Sequence, residues 1–145
     1  MKTLKTTFKT LFILALAAVS VTSCKKGEDD PVISLRSRED RFVNEWTLNK
    51  LEKNGTAENI DGSTYIYESF KDGTLKETIE GSVFGVATRT IKSGTWRFVD
   101  DKEQVRISID SNVTTYDVQR LADKELWLKK YEGEDTYIYY FSGSK

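Results

Sequence analysis

The sequence predicts an all-β domain, an antiparallel up-and-down meander of about eight strands, and three observations carry that expectation. From Trp46 onward, turn residues recur at Asn54-Gly55, Asp72-Gly73, Gly81-Ser82, Ser93-Gly94, Asp100-Asp101, Ser111-Asn112, Ala122-Asp123 and Gly133-Glu134. Asn-Gly and Asp-Gly pairs supply the positive backbone angles of tight hairpins. The intervals between these turns are too short for a crossover helix, so neighbouring strands run antiparallel. Finally, apolar and polar residues alternate, which places one apolar face against a core.

The alternation is cleanest in the second half. Trp96 and Phe98 share a face while Arg97 points away, and Val105-Arg106-Ile107-Ser108-Ile109 repeats the pattern. Tyr116-Asp117-Val118 and Leu126-Trp127-Leu128 follow it, and Tyr137, Tyr139 and Phe141 fall on one face. In the first half, Trp46 and Leu48 share a face but Leu51 breaks the parity, which a bulge or an early turn would explain. The stretch Val83 to Val99 reads equally as one long bent strand or as a hairpin. Ser34–Val43 carries the only helical cue: Ser37 followed by Asp40 is an N-cap signal, with Leu35, Phe42 and Val43 facing the core from a short N-terminal helix.

Chain organisation follows from the first forty residues. Lys2, Lys5 and Lys9 precede the apolar run Leu11–Val19 and then small residues, the layout of a secretory signal whose run is too short to span a bilayer. Residues 1–23 are therefore expected to be a signal peptide. Residues 24–41, headed by Cys24, are expected to be a flexible tether, because Lys25–Pro31 is polar, charged and ends in the chain's only proline. Residues 42–145 form the folded domain.

Composition excludes several chemistries. The 145 residues contain no histidine and one cysteine. That removes Ser-His-Asp and Cys-His catalysis, the usual zinc sites and any internal disulfide. The signal segment holds three of the 22 basic residues, leaving 19 against 23 acids, with no basic stripe of the kind nucleic acid requires. The acids at Asp100-Asp101 and at Glu132, Glu134 and Asp135 lie in turns without calcium-loop spacing, so neither a metal, a cofactor nor an enzymatic reaction is expected.

Val21-Thr22-Ser23-Cys24 resembles the lipobox of bacterial lipoproteins: an aliphatic residue, two small residues and a cysteine. The resemblance implies that the Cys24 thiol receives a diacylglycerol and becomes the acylated first residue, held on a membrane by its chains, palmitate among them. Lys25 after the cysteine resembles outer-membrane rather than inner-membrane lipoproteins. Glu28-Asp29-Asp30 partly matches the acidic surface-export signal of Bacteroidetes lipoproteins. The expected location is thus the outer membrane, on its periplasmic face or at the cell surface.

The body of the chain is similar to the lipocalin-like domains of such lipoproteins. The residues that carry the likeness are Asn44-Glu45-Trp46-Thr47-Leu48, Tyr67-Glu68-Ser69-Phe70-Lys71-Asp72-Gly73-Thr74-Leu75, Ser93-Gly94-Thr95-Trp96-Arg97-Phe98 and Tyr116-Asp117-Val118-Gln119-Arg120-Leu121. The resemblance implies an up-and-down β-barrel with room for an internal cavity. A small barrel can hold one small apolar ligand, and the candidate lining is Phe70, Trp96, Phe98, Tyr116, Tyr137 and Tyr139, unless these rings simply fill the core. The alternative is a filled barrel that binds a protein or glycan partner through an outer face carrying Tyr65, Tyr67, Trp127, Ile138 and Tyr140.

Overall fold

A computed structural model of the chain describes residues 29–31 and 35–145. The signal segment and Cys24 lie outside the described residues.

One short helix, α1 (Arg38–Phe42), precedes nine strands: β1 (Glu45–Lys53), β2 (Thr56–Glu58), β3 (Thr64–Ser69), β4 (Thr74–Val83), β5 (Val86–Val99), β6 (Gln104–Ile109), β7 (Asn112–Leu121), β8 (Glu125–Glu132) and β9 (Asp135–Gly143). From β3 to β9 each strand pairs antiparallel with the next, and β1 pairs with β3 on one side and β9 on the other. β2 only extends the β3 side of β1, opposite Leu51–Lys53. The result is a closed eight-stranded barrel, the meander expected from the sequence. Closure removes the exposed sheet edges that invite aggregation.

Local chemistry explains the elements. Ser37 caps α1, its hydroxyl accepting from the Asp40 backbone N–H at 3.0 Å. Phe42 then plugs one end of the barrel, its ring 4.6 Å from that of Trp96 and 5.5 Å from that of Phe98. Leu35, by contrast, is fully exposed and does not face the barrel. The broken parity at Leu51 is a bulge: the β1–β9 register shifts between Leu48 and Lys50, which returns Leu51 to the face of Tyr139.

Two expected turns are not turns. Gly81-Ser82 lies inside β4 and Ser93-Gly94 inside β5, and the chain reverses at Phe84-Gly85. Gly94 is present for proximity: a Cβ there would stand 2.2 Å from the Ser108 carbonyl oxygen of β6. The Val83–Val99 stretch is a tight reversal followed by a fourteen-residue strand.

The flexible tether expected over 24–41 is corrected by its described residues. The Asp29 N–H donates to the Gln119 carbonyl at 3.0 Å. Asp30 is buried, accepting from Arg38 at 2.6 Å and from the Leu121 N–H at 2.7 Å, with Arg41 3.9 Å away. The contact forms at the β7 bulge between Val118 and Arg120, where the extra residue frees backbone groups from the ladder. The packed unit therefore begins before residue 42.

Candidate functional site

Barrel pairing sorts the inward side chains into layers. At the end closed by α1, Trp46, Leu75, Trp96, Val105, Leu121, Leu126 and Leu128 form a packed core. Above it stands a tyrosine layer. Tyr116 and Tyr139 meet edge to face at 5.7 Å, and Tyr67 stacks on Phe141 at 5.4 Å. Above the tyrosines the interior opens into a mouth pocket of about 220 Å³, lined by Tyr67, Glu77, Lys92, Ile107, Ile109, Asn112, Thr114 and Tyr116.

The register places two charges inside the wall. Tyr67 pairs with Glu77, and Glu77 with Lys92, so all three share the inner face. Lys92 Nζ stands 4.0 Å from both Glu77 and Asp110. Glu77 acts on the Tyr67 hydroxyl through its charge and as a hydrogen-bond partner. The pocket therefore offers an isoleucine wall, phenol and hydroxyl groups, and a carboxylate and ammonium of opposite sign.

Burial is the main force on these tyrosines and holds the Tyr67 and Tyr116 hydroxyls well above the ordinary tyrosine range, with Tyr139 and Glu77 adding to it at both. Burial also raises Tyr139. All three stay neutral near pH 7. A phenol that ionises near pH 10 when unfolded, but not when folded, favours unfolding as pH rises. Stability from this layer is thus complete below about pH 10 and declines above it. A spectrophotometric titration is expected to leave Tyr67 and Tyr116, among the chain's seven tyrosines, protonated until the barrel unfolds. One smooth ionisation of all seven in folded protein would contradict this.

The six candidate lining residues are split among three places. Tyr116 and Tyr139 stand together in the tyrosine layer. Tyr137 shares their inner face nearer the rim, with Lys53 5.4 Å over its ring. Trp96 and Phe98 belong to the closed end, where they also wall an open crevice of about 540 Å³ beside α1, larger than the mouth pocket but outside the barrel. Phe70 is in the β3–β4 turn and 40% exposed; its carbonyl accepts the Trp96 indole N–H at 3.0 Å, so its ring does not line the interior.

Tyr65 and Tyr67 are corrected from the outer to the inner face: both pack against the core. β3 ends at Ser69, and treating Phe70 as an inward strand residue inverts the parity of everything before it. Trp127, Ile138 and Tyr140 are on the outer face. Trp127 meets Tyr140 at 5.3 Å, Arg120 lies 5.4 Å over Trp127 and Lys50 5.0 Å over Tyr140. These rings form a cation-covered cross-strand ladder, the kind of pairing that stabilises a sheet surface.

Among solved structures, a lipocalin-like protein from Bacteroides uniformis superposes with a TM-score of 0.55 at 18% identity, covering 71% of this chain and 98% of that one. The fold is lipocalin-like. The bovine lipocalin allergen Bos d 2 matches at 14% identity over 72% of this chain and 73% of its own, TM-score 0.45. Bovine odorant binding protein, solved in complex with a selenium-containing odorant, matches at 8% identity over 78% and 76%, TM-score 0.47. No family model and no curated protein matches the chain. At these identities the lipocalin-like likeness is one of fold.

Proposed function

We propose that this lipocalin-like barrel is a membrane-anchored binding module that holds one small ligand in its mouth, rather than an enzyme. The observation that carries the reading is the 220 Å³ pocket above a packed lower half. It lies below the roughly 300–1,000 Å³ of drug-sized sites, so the ligand is small. Its isoleucines and tyrosine faces suit an apolar body, and Glu77, Lys92 and the phenols suit a hydrogen-bonding head. Most of the lining is polar, with Asn112 and Thr114 added to those groups, so the ligand is a small molecule rich in hydrogen-bonding groups with a lesser apolar part against Ile107 and Ile109.

Aminoanthracene, three fused rings with one amine, offers both kinds of group and serves as a fluorescent probe. The mature chain is expected to bind it saturably at one site. Thr114→Trp, which fills the pocket from β7, should weaken binding at least about tenfold, equivalent to roughly 1.4 kcal/mol. Asn112→Trp at the rim provides a second blocking variant should the first fail to fold. Undiminished binding in a folded blocked variant would overturn the assignment. No binding at all would favour a filled barrel acting on a protein or glycan partner through the surface around Trp127 and Tyr140.

The anchor reading rests on the lipobox-like residues before Cys24. Two or more acyl chains hold a protein stably on a membrane where one does not. Cys24→Ala is expected to abolish metabolic labelling with palmitate, and persistent label would refute acylation at Cys24. The location we propose is the outer membrane, on its periplasmic face or at the cell surface.

A further inference from the structure

The β4–β5 hairpin continues past the barrel wall. β3 last pairs with β4 at Thr64–Glu80, and β6 last pairs with β5 at Ile109–Gly94. Beyond Glu80 and Arg89, three residue pairs remain, Gly81 with Thr88, Ser82 with Ala87 and Val83 with Val86, paired only with each other. At about 3.4 Å per residue they project roughly 10 Å.

This projection carries no charge from Gly81 to Thr88. Val83 and Val86 are more than half exposed, and Phe84, at the apex, is fully exposed. Phe84 also has φ +50° and Gly85 φ +78°, the arrangement of a two-residue turn whose first position favours Asn, Asp or Gly. A bulky ring there strains the backbone and meets water, and neither cost is offset within the fold.

The charges mark a boundary. Glu80 and Arg89 face each other across the strands at 3.3 Å, forming a neutral collar one projection length from the tip. Both faces of the ribbon beyond it lack charge, so no side is set apart for a polar partner surface. An apolar tip about 10 Å long, free of charge all round and bounded by a neutral charged collar, matches the 5–10 Å depth of the headgroup–acyl boundary.

We propose that the β4–β5 hairpin tip inserts into a lipid bilayer, with Phe84 deepest and the Glu80–Arg89 pair at headgroup level. The neutral collar makes anionic lipid unnecessary and the contact insensitive to salt. The proposal is independent of Cys24, because the tail docks at the opposite end of the barrel, beside Gln119 and Leu121. If Cys24 is acylated, a barrel held at both ends lies along one bilayer or reaches between two.

The test uses the chain from residue 25, which lacks the lipid-bearing cysteine and keeps every contact described above, floated with phosphatidylcholine vesicles. It should co-float equally at low and high salt. Phe84→Asn should fold at least as stably, because asparagine suits the turn, yet lose about tenfold or more in vesicle binding, since the ring is the largest apolar group that the tip would bury. A fluorophore on Phe84→Cys should be quenched by brominated lipid, while one on Lys71→Cys at the closed end should not. Failure to float, equal flotation of Phe84→Asn, or equal quenching at both positions would overturn the proposal. So would a dimer in solution that Phe84→Asn abolishes, which would show a second copy covering the tip.

Discussion

Trp46→Ala is expected to lower the free energy of unfolding by about 3–5 kcal/mol, the largest single loss available in the core. Trp46 is fully buried, and its indole N–H donates to the Phe42 carbonyl at 2.9 Å. That carbonyl also accepts from the Ser69 hydroxyl, so the indole ties α1 to β1 where β3 ends. The ring further sits where β1 meets β9: Trp46 pairs with Gly143, and a Cβ on Gly143 would lie 2.8 Å from the ring. Removing the ring opens a cavity at the seam that closes the barrel. Domains of this kind have about 5–15 kcal/mol in total, so urea unfolding should show a large drop in midpoint. Trp46→Phe keeps most of the packing and should lose clearly less. A change below about 1 kcal/mol for alanine, small even among ordinary core substitutions, would contradict the placement.

Asp30→Ala is expected to be nearly as damaging, about 3–5 kcal/mol, because it strands buried cations. The Arg38 and Asp30 side chains are both almost wholly buried. Burial pulls the Arg38 guanidinium below its ordinary pKa, and Asp30 is the chief group opposing that pull. Without the carboxylate, Arg38 and Arg41 remain beside one another, and only the weaker pull of Glu103 on Arg38 opposes the loss. The Leu121 N–H also loses its acceptor, so its hydrogen exchange should accelerate together with the loss of stability. A near-neutral Asp30→Ala would show that the segment is the loose tether its composition suggests.

That contrast marks where the sequence is legible. Trp96-Arg97-Phe98 and Val105–Ile109 declare their inward faces because one face is apolar and the other is not. Gly81 and Gly94 look like turn residues, yet both serve strands, and the close approach of Gly94 to Ser108 exists only once the strands pair. Phe70 misleads because a ring just beyond a strand end has the composition of a core residue but not its position. Glu77 and Lys92 are invisible as site residues, since inward charges break the alternation that identifies an inner face. They become legible only through the register that sets Tyr67 beside Glu77 and Glu77 beside Lys92. Asp30 is hidden for a similar reason: in a run of charged residues, nothing local distinguishes the one that will be buried against two arginines.

The inward charges also shape the functional reading. A barrel filled solely for stability would close its mouth with apolar side chains, because a buried charge costs free energy unless paired. Here the lower half follows that rule, while the upper half keeps Glu77 paired with a Lys92 that reaches solvent, and neutral phenols, around a pocket. In the function proposed above, these groups orient and select the ligand.

The measurement that tests this most directly is mass spectrometry of the chain from residue 25, purified gently from its producing cell and recorded under native and then denaturing conditions. The account predicts a defined small mass carried by the native protein, lost on denaturation, and absent from Thr114→Trp purified in the same way. A native spectrum showing only the bare chain, together with no aminoanthracene binding, would contradict a ligand-holding mouth and leave the outer surface as the working part of the barrel.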